Sequence, residues 1–229
     1  MRPEMPPEMQ PEVQPDVRSQ RQPELLASAL EIVTALLRAG GDRVMVGVAG
    51  PPGAGKSTLA QAIVEAVGDL AVYVPMDGFH LSNVELHRLG LTDRKGAPET
   101  FDAAGFVHLL RRIAAGEELV YAPAYSRVLH ESVAGVIPVF AGTRLVVVDG
   151  NYLLLQREPW VSVRSLLHPV IYVDAPDGVR VPGLLRRQRS RGLDEEQARD
   201  WVERSDEANA RLVVATRGLA DVVLTRGED

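Results

Sequence analysis

Gly50, Gly55, Lys56 and Ser57 meet the spacing G-x-x-x-x-G-K-S/T inside the stretch GVAGPPGAGKSTLAQAIVEAVG, residues 47–68. These residue types at this spacing hold phosphate. Glycines let backbone N–H groups converge on anionic oxygens, and the helix that follows turns its positive end toward them. Lys56 would reach the outer phosphates of a nucleotide and Ser57 a magnesium ion. The expected nucleotide-binding set is Gly50, Pro51, Pro52, Gly53, Ala54, Gly55, Lys56, Ser57 and Thr58, with the two prolines stiffening the loop. The plainer reading, a glycine-rich turn beside an exposed lysine, leaves the strand-like run before the loop and the helical pattern after it unexplained.

Two carboxylates stand where such a loop would use them. RLVVVDG closes an apolar run on Asp149, an acid able to orient magnesium or its waters, so Ser57 and Asp149 are the expected metal ligands. AVYVPMDGFHLSN places Asp77 directly after another apolar run. There a phosphotransferase needs a base to take the proton from an attacking hydroxyl, although a turn-capping aspartate would read the same. His80, three residues on, is either a substrate contact or an ordinary loop histidine.

A phosphate loop serves switches, motors and kinases alike. The guanine-reading sequence N-K-x-D is absent. The switch pattern D-x-x-G occurs twice, at 93–96 and 102–105, in unrelated contexts, so it distinguishes nothing. A GTPase is not expected.

The elements that must position these residues are legible as well. Residues 44–49, 71–75, 145–148, 170–173 and 221–225 read as strands, most of them runs of Val and Ile without alternation, as expected for strands covered on both faces. Helical periodicity occupies 24–39, 56–67, 102–115, 177–191 and 193–216. Alternating strand and helix predicts a parallel sheet with helices on both sides and a ligand site beyond the strands' carboxyl ends. Asp102 is expected to cap its helix, and Trp160 and Trp201 to pack rather than stack on a base. Residues 1–22, with proline at every fourth position and interleaved acids, read as a disordered tail ahead of one catalytic domain, 23–229.

A net charge of −6 argues against a nucleic-acid partner, and the absence of cysteine excludes disulfides and thiolate–zinc sites. No apolar run approaches the roughly 20 residues of a membrane span, and the start lacks a signal core. The expectation is a soluble, cytoplasmic protein without a membrane partner.

MDGFHLSN (76–83), RKGAPETFD (94–102), YAPAYSR (121–127), VVVDGNYLL (146–154), YVDAP (172–176) and ATRGLADVVLT (215–225) follow the phosphate loop in order. Together they resemble the pantothenate kinase / uridine kinase / phosphoribulokinase group of P-loop kinases over about residues 43–225. GNYLLL, PAYSR and the compact size are similar to its nucleoside/nucleotide kinase-like branch, some of whose members are labelled sugar-transport kinases. The resemblance implies a three-layer α/β P-loop NTPase fold, with a central, mostly parallel sheet flanked by helices and a helical lid. It implies ATP and Mg²⁺ as cofactors and a small-molecule acceptor, pantothenate-, nucleoside- or sugar-like, phosphorylated on a hydroxyl.

It also implies roles. Asp77 falls where the group places its catalytic base, Lys56 and Ser57 on its nucleotide–magnesium pair, and Arg187 on a lid arginine over the transferring phosphate. Substrate contacts fall on Asp77, His80, Tyr125, Arg127 and Asn209. The chain departs from pantothenate kinases in carrying Arg127 where they show histidine, and from most relatives in carrying Asp149 where they show glutamate. An arginine there suits an acceptor bearing a carboxylate, a phosphate or several hydroxyls. The rival reading is a P-loop ATPase or nucleotide-dependent regulatory module without an acceptor. Acceptor identity and homodimer formation stay open at this level.

Overall fold

The computed structural model describes residues 22–227. The expected tail therefore lies outside the described residues, save that the backbone of Gln22 opens the first helix, α1 (Gln22–Ala39). In chain order follow β1 (Val44–Ala49), α2 (Lys56–Val67), β2 (Ala71–Pro75), α3 (Asn83–Leu89), α4 (Ala103–Ala114), β3 (Leu119–Ser126) and β4 (Glu131–Phe140). The chain continues through β5 (Leu145–Asp149), β6 (Val170–Asp174), α5 (Asp177–Ser190), α6 (Glu195–Trp201), α7 (Glu207–Val214) and β7 (Val222–Thr225). Five strands form a parallel sheet in the order β2-β5-β1-β6-β7.

The unbroken apolar runs are explained by the two cores they separate. Val46, Val48, Leu145, Val147, Ile171 and Val173 face α1 and α2, where Ala29, Val33, Leu59 and Ile63 are buried. Met45, Val146, Val148, Val170 and Tyr172 face the opposite layer, which α4 fills with Phe106, Leu110 and Ile113. Each buried Val, Leu, Ile, Phe or Met among them contributes about 1.5–3 kcal/mol, so both faces of the sheet hold the three layers together. Trp160 belongs to this second core, as expected. Asp102 caps α4, its carboxylate accepting from Gly105 N–H at 2.8 Å.

Three features depart from the sequence reading. An antiparallel hairpin, β3–β4, stands apart from the main sheet where no strands are expected. Pro123, Gly135 and Pro138 interrupt it and read as strand breakers; the ladder in fact slips between Ala122 and Ala124, around the proline that has no N–H to give. The short helix α3 is also unforeseen, started by Ser82, whose hydroxyl accepts from Glu85 N–H. Finally, the helix expected over 193–216 is two helices joined by a π-helical turn, Val202–Asp206, which buries Ser205 and Asp206.

Candidate active site

The loop between β1 and α2 lies at the carboxyl end of the central strand. Gly50, Gly53 and Gly55 hold φ of 147°, 81° and 96°, conformations that side chains resist. A Cβ on Gly50 would also lie 2.4 Å from the Val173 carbonyl oxygen. The loop is thus wedged against β6 and can be built only from glycine there. Pro51, Pro52 and Ala54 are buried, and Thr58 is exposed on the first turn of α2.

Lys56 folds back over this loop and donates from Nζ to the Pro51 carbonyl at 2.9 Å. Burial lowers its ammonium to about 8, while the carboxylates of Asp149 and Asp77 pull it up and the charges of Arg187 and Arg180 push it down. Ser57 donates to Asp149 Oδ2 at 2.5 Å, and Tyr73 donates to Oδ1 at 2.8 Å. Burial raises Asp149 to about 6, with Asp77 adding to the rise and Ser57, Lys56 and Tyr73 opposing it. Hydroxyl and carboxylate oxygens are the hard ligands that magnesium takes. No cluster of three acidic or imidazole side chains occurs among the described residues, so phosphate oxygens and waters would complete its shell.

Asp77 sits on the turn after β2, its side chain 58% exposed. The His80 ring packs at a tilt against Phe101 and Tyr125, with ring centres 4.0 and 4.9 Å apart, and its Nδ1 lies 2.9 Å from the Asp77 carbonyl oxygen. Burial lowers its imidazole, against the pull of Asp77. Asp77, His80 and Tyr125 are therefore brought together beside the phosphate loop. Arg127 is not in their core; it is exposed in the hairpin turn, close enough for its charge to act on Tyr125.

The hairpin reaches this place because it lies against the Asp77 turn. A Cβ on Gly78 would stand 2.3 Å from the Pro123 carbonyl oxygen, a backbone atom that cannot swing aside. Gly78→Ala should destabilise the fold by about 1–3 kcal/mol, the range for forced overpacking. Urea denaturation measures it, and a loss below about 0.5 kcal/mol would show that hairpin and turn are not in rigid contact.

Helices α5–α7 cover the other side. Arg187 donates to Asp206 Oδ1 at 2.9 Å with its side chain 43% exposed, and its charge reaches Lys56. Asn209 is buried, its amide nitrogen near the backbone of Gly96. Sequence reasoning missed three members of this region. Arg180, buried, grips Glu207 with both terminal nitrogens at 2.6 and 2.7 Å and clamps α5 to α7. Tyr73 is the third group on Asp149, signalled only by its position two residues before the end of β2. Tyr152 donates to the Gly96 carbonyl at 2.5 Å and fixes the loop opposite Asn209. Trp201 is half-buried and packs, as expected, here against the guanidinium groups of Arg191 and Arg204, 5.9 and 5.1 Å from its ring centre.

A family model described as "Phosphoribulokinase / Uridine kinase family" matches residues 45–229. A Schizosaccharomyces pombe protein provisionally named a uridine kinase is 33% identical over 196 residues, 80% of this chain and 83% of that protein. The pantothenate kinase of Bacillus velezensis is 31% identical over 145 residues, which cover 58% of this chain but only 46% of that enzyme. Among solved structures, a Silicibacter sp. TM1040 protein provisionally described as a fructose transport system kinase superposes with a TM-score of 0.76 at 34% identity. That match covers 87% of this chain and 98% of the Silicibacter chain.

Proposed function

The chain belongs to the phosphoribulokinase / uridine kinase family, P-loop kinases that use ATP with Mg²⁺ to phosphorylate hydroxyl groups of small molecules, and on that premise we propose how its own residues carry out the transfer. The acceptor is a small metabolite of pantothenate-, nucleoside- or sugar-like kind. The observation that carries the reading is the position of Asp77. Its charge acts on Lys56 and Asp149 on one side, and on the other it opens onto the aromatic wall of His80 and Tyr125. A carboxylate between a phosphate loop and a pair of packed aromatic rings suits a kinase with an organic acceptor better than an enzyme that orients water.

In this reading the loop N–H groups and Lys56 bind the nucleotide phosphates, with Lys56 exchanging the Pro51 carbonyl for a phosphate oxygen. Ser57 and Asp149 would hold Mg²⁺, which neutralises charge on the transferring group. Asp77 takes the proton from the acceptor hydroxyl. Arg187 turns its half-exposed guanidinium toward the equatorial oxygens when α5–α7 close over the site. His80, Tyr125, Arg127 and Asn209 orient the acceptor. Among the described residues no helix is long and apolar enough to cross a membrane. We place the enzyme in the cytoplasm, with neither nucleic acid nor membrane as partner; sedimentation would reveal any homodimer.

ADP release tests the reading, with pantothenate, uridine, cytidine, ribosyl pyridines, glycerate, ribulose 5-phosphate and free sugars as acceptors. At least one should raise turnover tenfold or more over ATP alone. Rapid ATP turnover that no acceptor changes would favour the ATPase.

The raised Asp149 carboxyl gives a pH signature. The folded protein keeps it protonated to higher pH than a free aspartate, so the ionised oxygen for Mg²⁺ is present above about 6 and is lost as pH falls through that value. The Mg²⁺ concentration for half-maximal activity should therefore climb steeply on acidification through pH 6. Asp149→Asn, with no proton to lose, should show a high and nearly flat requirement; a flat requirement in the parent would contradict the assignment.

A further inference from the structure

We propose that Asp206, on the π-helical turn between α6 and α7, is a positioning residue for phosphoryl transfer: its buried carboxylate holds Arg187 at one corner and aims the rest of that guanidinium at the transferring group. This rests on the kinase reading above, which assigns Arg187 to that group.

Val202, Ala210 and Val213 form a buried stripe along the π-helical turn and α7, and Asp206 stands within it, 6% exposed. A carboxylate is costly to bury unless cations or other donors meet it, and an apolar residue would pack there without that cost. Asp206 is met on both oxygens. Oδ1 accepts from Arg187 NH2 at 2.9 Å and Oδ2 from the Gln188 side-chain amide at 3.1 Å, two neighbours on α5. An asparagine could accept on one side alone, because its amide nitrogen would face a second donor. Residue 206 is thus chosen for what it holds and not for packing.

The neighbouring acid holds its arginine differently. Glu207 takes both terminal nitrogens of Arg180, at 2.6 and 2.7 Å, and Asp177 takes Nε at 2.9 Å. That guanidinium is buried and fully engaged in clamping α5 to α7. Arg187 meets Asp206 through NH2, and its side chain is 43% exposed. A planar cation held at one corner keeps a fork of donors for the oxygens of a phosphoryl group.

The helix that carries Arg187 is docked on the phosphate loop. A Cβ on Gly53 would lie 2.8 Å from the Arg180 carbonyl oxygen and 3.0 Å from Leu184 Cγ. Arg180, Leu184 and Arg187 stand at i, i+4 and i+7, along one face of α5. Arg187 therefore follows the contact with Gly53 by about 4.5 Å along the helix, on the side turned toward the loop. An arginine side chain has many rotamers from such a position. The contact with Asp206 selects one of them before the nucleotide arrives, which is where a positioning residue acts on rate.

A double-mutant cycle separates positioning from packing. With the acceptor that gives the fastest ADP release, Arg187→Met should lower kcat by about tenfold or more. Asp206→Asn should lower kcat by about 10–100-fold with the KM for ATP within about threefold of the parent, the signature of a misplaced donor. In the Arg187→Met background the same change should cost less than about twofold, since there is no guanidinium left to aim. Asp206→Glu guards against a variant that fails to fold. It keeps the charge and both acceptor oxygens, moves them by one methylene, and should show the same dependence on Arg187. Equal losses with and without Arg187, or an unchanged kcat in Asp206→Asn, overturn the proposal. An unchanged kcat in Arg187→Met would instead refute the assignment of Arg187 on which it rests.

A binding readout needs no acceptor. Mg²⁺, ADP and aluminium fluoride together mimic the transferring phosphoryl group and should raise the melting temperature of the parent above its value with Mg²⁺ and ADP alone. Arg187→Met and Asp206→Asn should both lose that extra rise while Mg²⁺ and ADP still stabilise them as they do the parent. An extra rise kept in Asp206→Asn and lost in Arg187→Met overturns the proposal. No extra rise in the parent counts against the phosphoryl-transfer reading itself.

Discussion

Asp77→Asn is expected to lower phosphoryl transfer by roughly 10²–10⁴-fold, the range for losing a positioned general base. The amide keeps the size and hydrogen bonding of the carboxylate but has no basic lone pair for the acceptor proton. Asp77 is exposed on its turn, so the substitution leaves no cavity and the fold should be unaffected. Nucleotide affinity should hardly change, because the loop N–H groups, Lys56 and Ser57 carry it. If Asp77 held the metal instead, the variant would show a raised Mg²⁺ requirement that excess Mg²⁺ partly rescues. Rate against Mg²⁺, with nucleotide binding followed separately, distinguishes the two. A variant keeping more than about a tenth of the parent rate removes Asp77 from the mechanism.

Lys56→Ala is the second large effect. The lysine is buried, and its ammonium, already lowered to about 8, is folded directly over the phosphate loop. A nucleotide's phosphates would take over the role of the Pro51 carbonyl, so removing the ammonium should cost roughly 10²–10³-fold or more in turnover at saturating ATP, as for loss of a preorganised charge donor. Lys56→Met, which keeps the stem that fills the space beside Pro51, should lose as much activity while melting close to the parent. Near-normal turnover in Lys56→Met would sink the nucleotide site as drawn.

The parts of this site that could be read from the sequence are those encoded locally. Gly50, Gly55, Lys56 and Ser57 fix one another within eight residues, and Asp77 and Asp149 each follow a short apolar run, AVYVPM and LVVV. The strand bounds 44–49 and 71–75 follow for the same reason. The hairpin escaped because its strands are small, two-stranded and interrupted by Pro123 and Pro138, so neither alternation nor a long run marks them. Arg180 could not be singled out among so many arginines, since its partner Glu207 lies 27 residues away across a helix pair. Asp206 sits inside a stretch already read as helical, but its partners Arg187 and Gln188 meet it only when α5 packs against the π-helical turn. Pairings of that kind are set by tertiary packing and leave no periodic trace.

The destination of the γ-phosphoryl group tests the central claim most directly. The protein is incubated with Mg²⁺ and ATP labelled in that group, with and without the acceptor that gives the fastest ADP release, and the label is followed to its product. A kinase built on Asp77 puts the label on an acceptor hydroxyl, in step with ADP, and releases little inorganic phosphate when the acceptor is left out. Label recovered only as inorganic phosphate, at the same rate with and without acceptor, would contradict it.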